Sequence, residues 1–173
     1  MLFVMLLVLS AGFPYATPID VMFPSESGTP VTPAERAAAS EIARYLVLVA
    51  AAQYEHTPYR YAGITGEGLD CSGLVYVSFR DALRIEVPRS SAGLHTWTVE
   101  IPFEEAEPGD LLFFRTTGTE RITHVGIYTG DRRFIHSASQ GAVTGVLYSS
   151  LDEPYWFGNF AGAGRAFPST IVR

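Results

Sequence analysis

Two hydrophobic periods divide this chain. Between Pro33 and Tyr54 apolar residues recur at three- and four-residue steps, with Ala38, Ile42, Tyr45, Leu46, Val49 and Ala52 on one stripe, which predicts one amphipathic helix. Thr32-Pro33-Ala34-Glu35 marks its start: a cap, a proline at the first helical position, and a glutamate placed to close a capping box. A second helical period, carried by Leu74, Val75, Ser78, Phe79 and Ala82, follows Gly68-Leu69-Asp70-Cys71-Ser72-Gly73. Pro88-Arg89-Ser90-Ser91 then breaks the chain and caps a short turn of helix through Trp97. Beyond it the pattern becomes strand-like. The Pro108-Gly109 turn leads into a buried strand over Asp110–Arg115, and Thr116–Arg121 is a polar loop. Ile122–Tyr128 and Arg133–Ala138 are two more strands joined at Thr129-Gly130-Asp131, and Val146–Ser150 is another. Helices first and antiparallel strands after, with no helix between them, predict an α+β fold.

The N-terminus has a different texture. Met1–Leu9 is an unbroken apolar run followed by small and turn residues to Ala16, which suits the core of a signal peptide and is too short to span a bilayer. The expected organisation is a signal segment over 1–16, a Pro/Ser/Gly-rich linker over 17–31, and one domain over 32–173. Export to the periplasm or cell envelope follows, without a stable membrane anchor. No cysteine follows the run, so an acylated cysteine is excluded.

Length and charge narrow the choice further. With 173 residues the chain supports one well-cored domain. A net charge of −6 without a basic patch argues against nucleic acid as a partner. The single cysteine allows no internal disulfide, and an exported protein that keeps one unpaired thiol is expected to use it.

That cysteine, Cys71, falls in the first turn of the second helix, where unpaired N–H groups and the positive end of the dipole favour a thiolate. The alternative is a small buried hydrophobe. A nucleophilic cysteine needs a base and a group to orient that base. His56 and His95 read as surface residues, whereas His124 and His136 lie within otherwise apolar strands. If the hairpin loop is Thr129-Gly130-Asp131, then Tyr128 pairs with Arg132, Gly126 with Phe134 and His124 with His136, which brings both imidazoles to one face. A two-residue loop at Gly130-Asp131 would send them to opposite faces. Gly126 between them would leave room for a substrate. A zinc site built on one cysteine and two histidines is the other reading, but the spacing matches no compact zinc motif and no fourth ligand suggests itself; no metal or cofactor is expected.

In order along the chain, Pro58-Tyr59, Asp70-Cys71-Ser72-Gly73, Pro88-Arg89-Ser90, Pro108-Gly109-Asp110-Leu111, His124-Val125-Gly126-Ile127-Tyr128 and Phe134-Ile135-His136 resemble the NlpC/P60 family of papain-like cysteine peptidases, which cut peptidoglycan stem peptides. The resemblance runs from about Thr57 to Phe167. It implies N-terminal helices packed on a mainly antiparallel sheet, Cys71 as nucleophile, His124 as base and His136 as the orienting residue. It also implies Tyr59 near the oxyanion site and Asp70 and Ser72 in contact with a substrate amine; Arg89 is a candidate for a substrate carboxylate. Ser149-Ser150-Leu151-Asp152-Glu153-Pro154-Tyr155-Trp156 is similar to the murein endopeptidase branch of Gram-negative envelopes. Two positions depart from the family pattern: Ala62-Gly63 stands where paired glycines are usual, and Leu94 where a glutamine is common.

The expectation is a monomeric cysteine peptidase acting on peptidoglycan stem peptides. The competing readings are a non-catalytic wall-binding module of the same fold and a thiol acyltransferase or amidase. In the permuted relatives of the fold that do acyl chemistry the histidine precedes the cysteine, the reverse of the order here.

Overall fold

The computed structural model describes residues 32–166. The expected signal segment and linker lie outside the described residues. The capping box forms at the start of helix α1 (Pro33–Ala52): the Glu35 N–H donates to Thr32 Oγ1, and the Thr32 N–H donates to Glu35 Oε2 at 2.8 Å. The buried face of α1 is not the expected one. Ile42, Tyr45, Leu46 and Val49 are exposed, while Ala39, Ala43, Val47 and Ala51 face the core. Small residues at four-residue steps let α1 pack closely against its neighbour, and that contact outweighs the burial of the larger side chains.

That neighbour is α2 (Cys71–Leu83), capped by Asp70 at one end and closed by Arg84 in a left-handed conformation at the other. Before it lie two short paired strands, β1 (Ile64–Thr65) and β2 (Gly68–Leu69). Ala62 takes a positive φ of 58° there, a conformation glycine adopts more cheaply, which gives a physical reason for the usual glycine pair. Ser90 caps the short helix α3 (Ser91–Trp97) as expected. Leu94 is fully buried and serves the core.

Six strands then form one antiparallel sheet in the order β3-β8-β4-β5-β6-β7, with β3 Val99–Ile101, β4 Leu111–Phe114, β5 His124–Gly130, β6 Arg133–Ala138, β7 Gly145–Ser150 and β8 Phe160–Arg165. The last strand follows a short helix, α4 (Pro154–Asn159). Alternation along the strands splits the interior in two. Leu111, Phe113, Val125, Ile127, Ile135 and Val146 pack with α1 and α2. Leu112, Phe114, Tyr128, Phe134 and Ala163 turn to the other face, where Trp156 from α4 closes an aromatic cluster.

The β5–β6 register differs from the expected one. Asp131 and Arg132, both at positive φ, form a two-residue turn that pairs Gly130 with Arg133. By itself this odd-parity turn would put the two histidines on opposite faces. A bulge between Tyr128 and Gly130 restores the parity, so Tyr128 pairs with Phe134 and Ile127 with Ile135. The strands have slid by two residues relative to the expected pairing, and the histidines become diagonal neighbours on one face.

Candidate active site

Local capping sets the position of Cys71. Asp70 Oδ1 accepts the Gly73 N–H at 2.6 Å, which fixes the first turn of α2. The same carboxylate is held by Arg89, with Nη1 3.1 Å from Oδ1 and Nη2 3.2 Å from Oδ2. The Ser72 hydroxyl sits between them, 3.0 Å from Asp70 Oδ1 and 3.1 Å from the Arg89 carbonyl. Asp70, Ser72 and Arg89, all expected to meet substrate, therefore contact one another. None of them lines the cavity described below.

The histidine pair is built on the sheet. His124 Nε2 lies 2.9 Å from His136 Nδ1, and His136 Nε2 lies 3.1 Å from the Ser149 hydroxyl. Aromatic rings fix both imidazoles: Trp156 is 5.3 Å from His124 and 4.7 Å from His136, and Phe134 is 4.9 Å from His136. Gly126 has a different role from the expected one. A Cβ there would lie 2.6 Å from Phe134 Cδ2 and 3.3 Å from His136 Cβ, so the missing side chain makes room for these supporting groups rather than for a substrate. Facing nitrogens at hydrogen-bond distance leave no space for an ion between the rings.

Cys71, His124, His136 and Tyr59 line one cavity of about 650 Å³, whose wall also includes Ser149, Trp156 and the 138–143 loop. Tyr59 is brought there by a bridge to Leu69, immediately before the cap of α2. With Nε2 occupied by His136, Nδ1 is the nitrogen of His124 left for proton exchange with the thiol.

Electrostatics oppose a resting thiolate, contrary to the expectation from the helix terminus. Burial, reinforced by the Asp70 carboxylate, pushes the Cys71 thiol up to about 11, although the N–H groups of Val125, Ser72 and Cys71 pull the other way. Burial lowers His124 to about 4. Burial, then the charge of His124, holds His136 well below 6.5. Desolvation first, then the charges of Cys71 and Asp70, raises the Tyr59 phenol.

The remaining histidines stand apart from this site. His56 is exposed, with 86% of its side chain accessible. His95, expected at the surface, is half-buried and packs edge-on against Phe113 at 5.0 Å. Reasoning from sequence missed Trp156 and Ser149 as parts of the site. Both lie in the Ser149–Trp156 block, which was legible only as a family likeness.

The arrangement defines a class, the thiol enzymes in which a histidine borne by a sheet serves a cysteine borne by a helix. The sequence signature of the NlpC/P60 family matches residues 56–165. The chain belongs to the NlpC/P60 family.

Relatives and solved structures agree with that assignment. The chain is 43% identical over 109 residues to the probable endopeptidase NlpC of Escherichia coli, covering 63% of this chain and 69% of that protein. It is 39% identical over 119 residues to murein DD-endopeptidase MepH of the same organism, covering 67% of this chain and 43% of MepH. For murein DD-endopeptidase MepS/murein LD-carboxypeptidase the identity is 37% over 114 residues, covering 66% of this chain and 58% of the relative. An NlpC/P60 family protein from Bacillus cereus superposes with a TM-score of 0.64 at 31% identity, covering 72% of this chain and 40% of that one. A Staphylococcus aureus protein of the family gives 0.63 at 33%, covering 73% and 42%.

Proposed function

We propose that this chain is a peptidoglycan endopeptidase that hydrolyses peptide bonds in stem peptides or their cross-links through Cys71, His124 and His136. The observation that carries this reading is the opening of the single cysteine and a hydrogen-bonded histidine pair onto one cavity. The named activities of the E. coli relatives support it.

In the reaction, His124 Nδ1 takes the proton of Cys71 as the sulfur attacks the peptide carbonyl. The Cys71 N–H and the Tyr59 hydroxyl receive the developing oxyanion. His124 then gives its proton to the leaving amine, and water, activated by the same ring, releases the acyl group from sulfur. His136 keeps the ring of His124 oriented throughout.

The cavity favours an internal bond over removal of a terminal residue. Among the described residues that line it, Glu153 is the one Asp, Glu or Arg side chain. A free terminal carboxylate placed there would meet no cationic partner and would face that glutamate. The catalytic Cys-His-His set also favours hydrolysis over a wall-binding role, because binding alone has no use for an oriented base.

Digestion of purified sacculi and of defined cross-linked muropeptides, with fragments identified by mass, tests the reading. Wild-type protein releases new amine and carboxyl ends, and Cys71→Ala, folded as judged by circular dichroism, releases none. Cleavage retained by Cys71→Ala would remove the mechanism.

A further inference from the structure

Three polar side chains step diagonally across adjacent strands: His124 on β5, His136 on β6 and Ser149 on β7. In the β6–β7 register His136 pairs with Leu147 and Phe134 with Ser149. Ser149 is thus displaced from His136 by the same kind of diagonal step that separates the two histidines. Its side chain is buried, and its oxygen is 3.1 Å from His136 Nε2. The Phe134 ring packs tilted and the Trp156 ring edge-on against His136, and the residue has no solvent exposure. Both residues border the cavity, and the hydroxyl is the polar partner that His136 Nε2 already has in place.

The proton count along this line is decisive. With both imidazoles neutral, protons can be ordered in two ways. Either each Nε2 carries hydrogen and the line donates toward Ser149, or each Nδ1 carries hydrogen and Ser149 donates to His136. Only the first order leaves His124 Nδ1 with a lone pair for the thiol proton. Once His124 has taken that proton, both of its nitrogens carry hydrogen. His136 Nδ1 must then accept, its own hydrogen must sit on Nε2, and that N–H needs an acceptor. The Ser149 oxygen is the acceptor in place.

We infer that Ser149 is a positioning residue of this site, whose oxygen accepts the Nε2–H of His136 and so lets His124 carry a second proton during attack. The inference deepens the hydrolase reading and rests on it. The serine acts through His136 and touches no reacting atom. A hydroxyl suits the task because it can also donate, so the line can reset between turnovers without a fixed charge in the aromatic cluster.

The test combines kinetics with nitrogen-15 spectra of the histidines in the free protein. In wild type the His136 proton is expected on Nε2, as a hydrogen-bonded signal protected from exchange. Ser149→Ala should lower kcat about ten- to hundred-fold with KM nearly unchanged, because without the acceptor the resting proton moves to His136 Nδ1, and the order that frees His124 Nδ1 leaves a buried N–H unpaired. It should also abolish the protected signal, and Ser149→Thr, which keeps the hydroxyl, should restore both. A His136 proton found on Nδ1 in wild type overturns the inference. So does a Ser149→Ala protein with unaltered kcat, or a loss of activity that threonine does not recover in a folded protein. The spectra need no substrate, so failure of the peptidoglycan assignment would leave this result separately readable.

Discussion

Titration of the free protein, followed through the ultraviolet absorbance of the thiolate, probes the state of the catalytic pair before substrate arrives. Moving the proton from a thiol at about 11 to an imidazole at about 4 costs roughly 9–10 kcal/mol at ~1.36 kcal/mol per pH unit. At a contact distance of ~4 Å a thiolate–imidazolium pair would recover ~4 kcal/mol at an effective dielectric of ~20. The neutral pair is therefore favoured by roughly 5 kcal/mol. Relative to Cys71→Ala, the protein should show no thiolate absorbance at neutral pH, with the signal rising only on the alkaline side toward about 11. Alkylation by iodoacetamide should be correspondingly slow at neutral pH. The active proton inventory, one proton shared by sulfur and ring, should persist between about 4 and about 11. Below that window His124 is already protonated, and above it the shared proton is gone. A thiolate signal present at neutral pH and lost in a single acid step would refute the reasoning, because it would mean that the helix terminus outweighs burial.

Two further perturbations test the supports of the site. Gly126→Ala forces a Cβ to within 2.6 Å of Phe134 Cδ2; it should cost about 1–3 kcal/mol in urea unfolding and, by displacing His136, about a hundred-fold in kcat. Wild-type turnover in that variant would show that the cluster yields without moving the histidines. Arg89→Ala removes the bidentate partner of Asp70 and should lower stability by about 1–2 kcal/mol, read as a lower urea midpoint. An unchanged midpoint would mean the pair is idle in the fold and leave Arg89 available for substrate.

Much of this architecture was legible because local signals agreed with the tertiary outcome. The capping box at Thr32, the Asp70 cap and the apolar runs of β4 to β7 each specify their own element. Where two local solutions competed, sequence could not choose. Helix α1 carries both a stripe of large apolar residues and a line of alanines, and only the approach of α2 decides which is buried. Strand β8 was not anticipated from sequence, because Gly162 and Gly164 interrupt its apolar pattern. Yet a Cβ at Gly164 would lie 2.3 Å from Thr98 Oγ1, so the strand needs its glycine where the chains meet closely. Sequence left the histidines on one face or on opposite faces according to loop length; they share a face through a two-residue turn and a bulge that no residue in the hairpin announces.

The two faces of the sheet have a consequence for how this enzyme would fail. The proposed nucleophile, Cys71, is anchored where helices meet the sheet, and the proposed base, His124, among the rings on the reverse side. The reactive separation is therefore the difference between two independently packed interiors rather than a property of either one. Loosening one interior by a methyl group can spoil the alignment while the other holds the molecule folded. Damage to turnover should thus come first, and loss of structure only later.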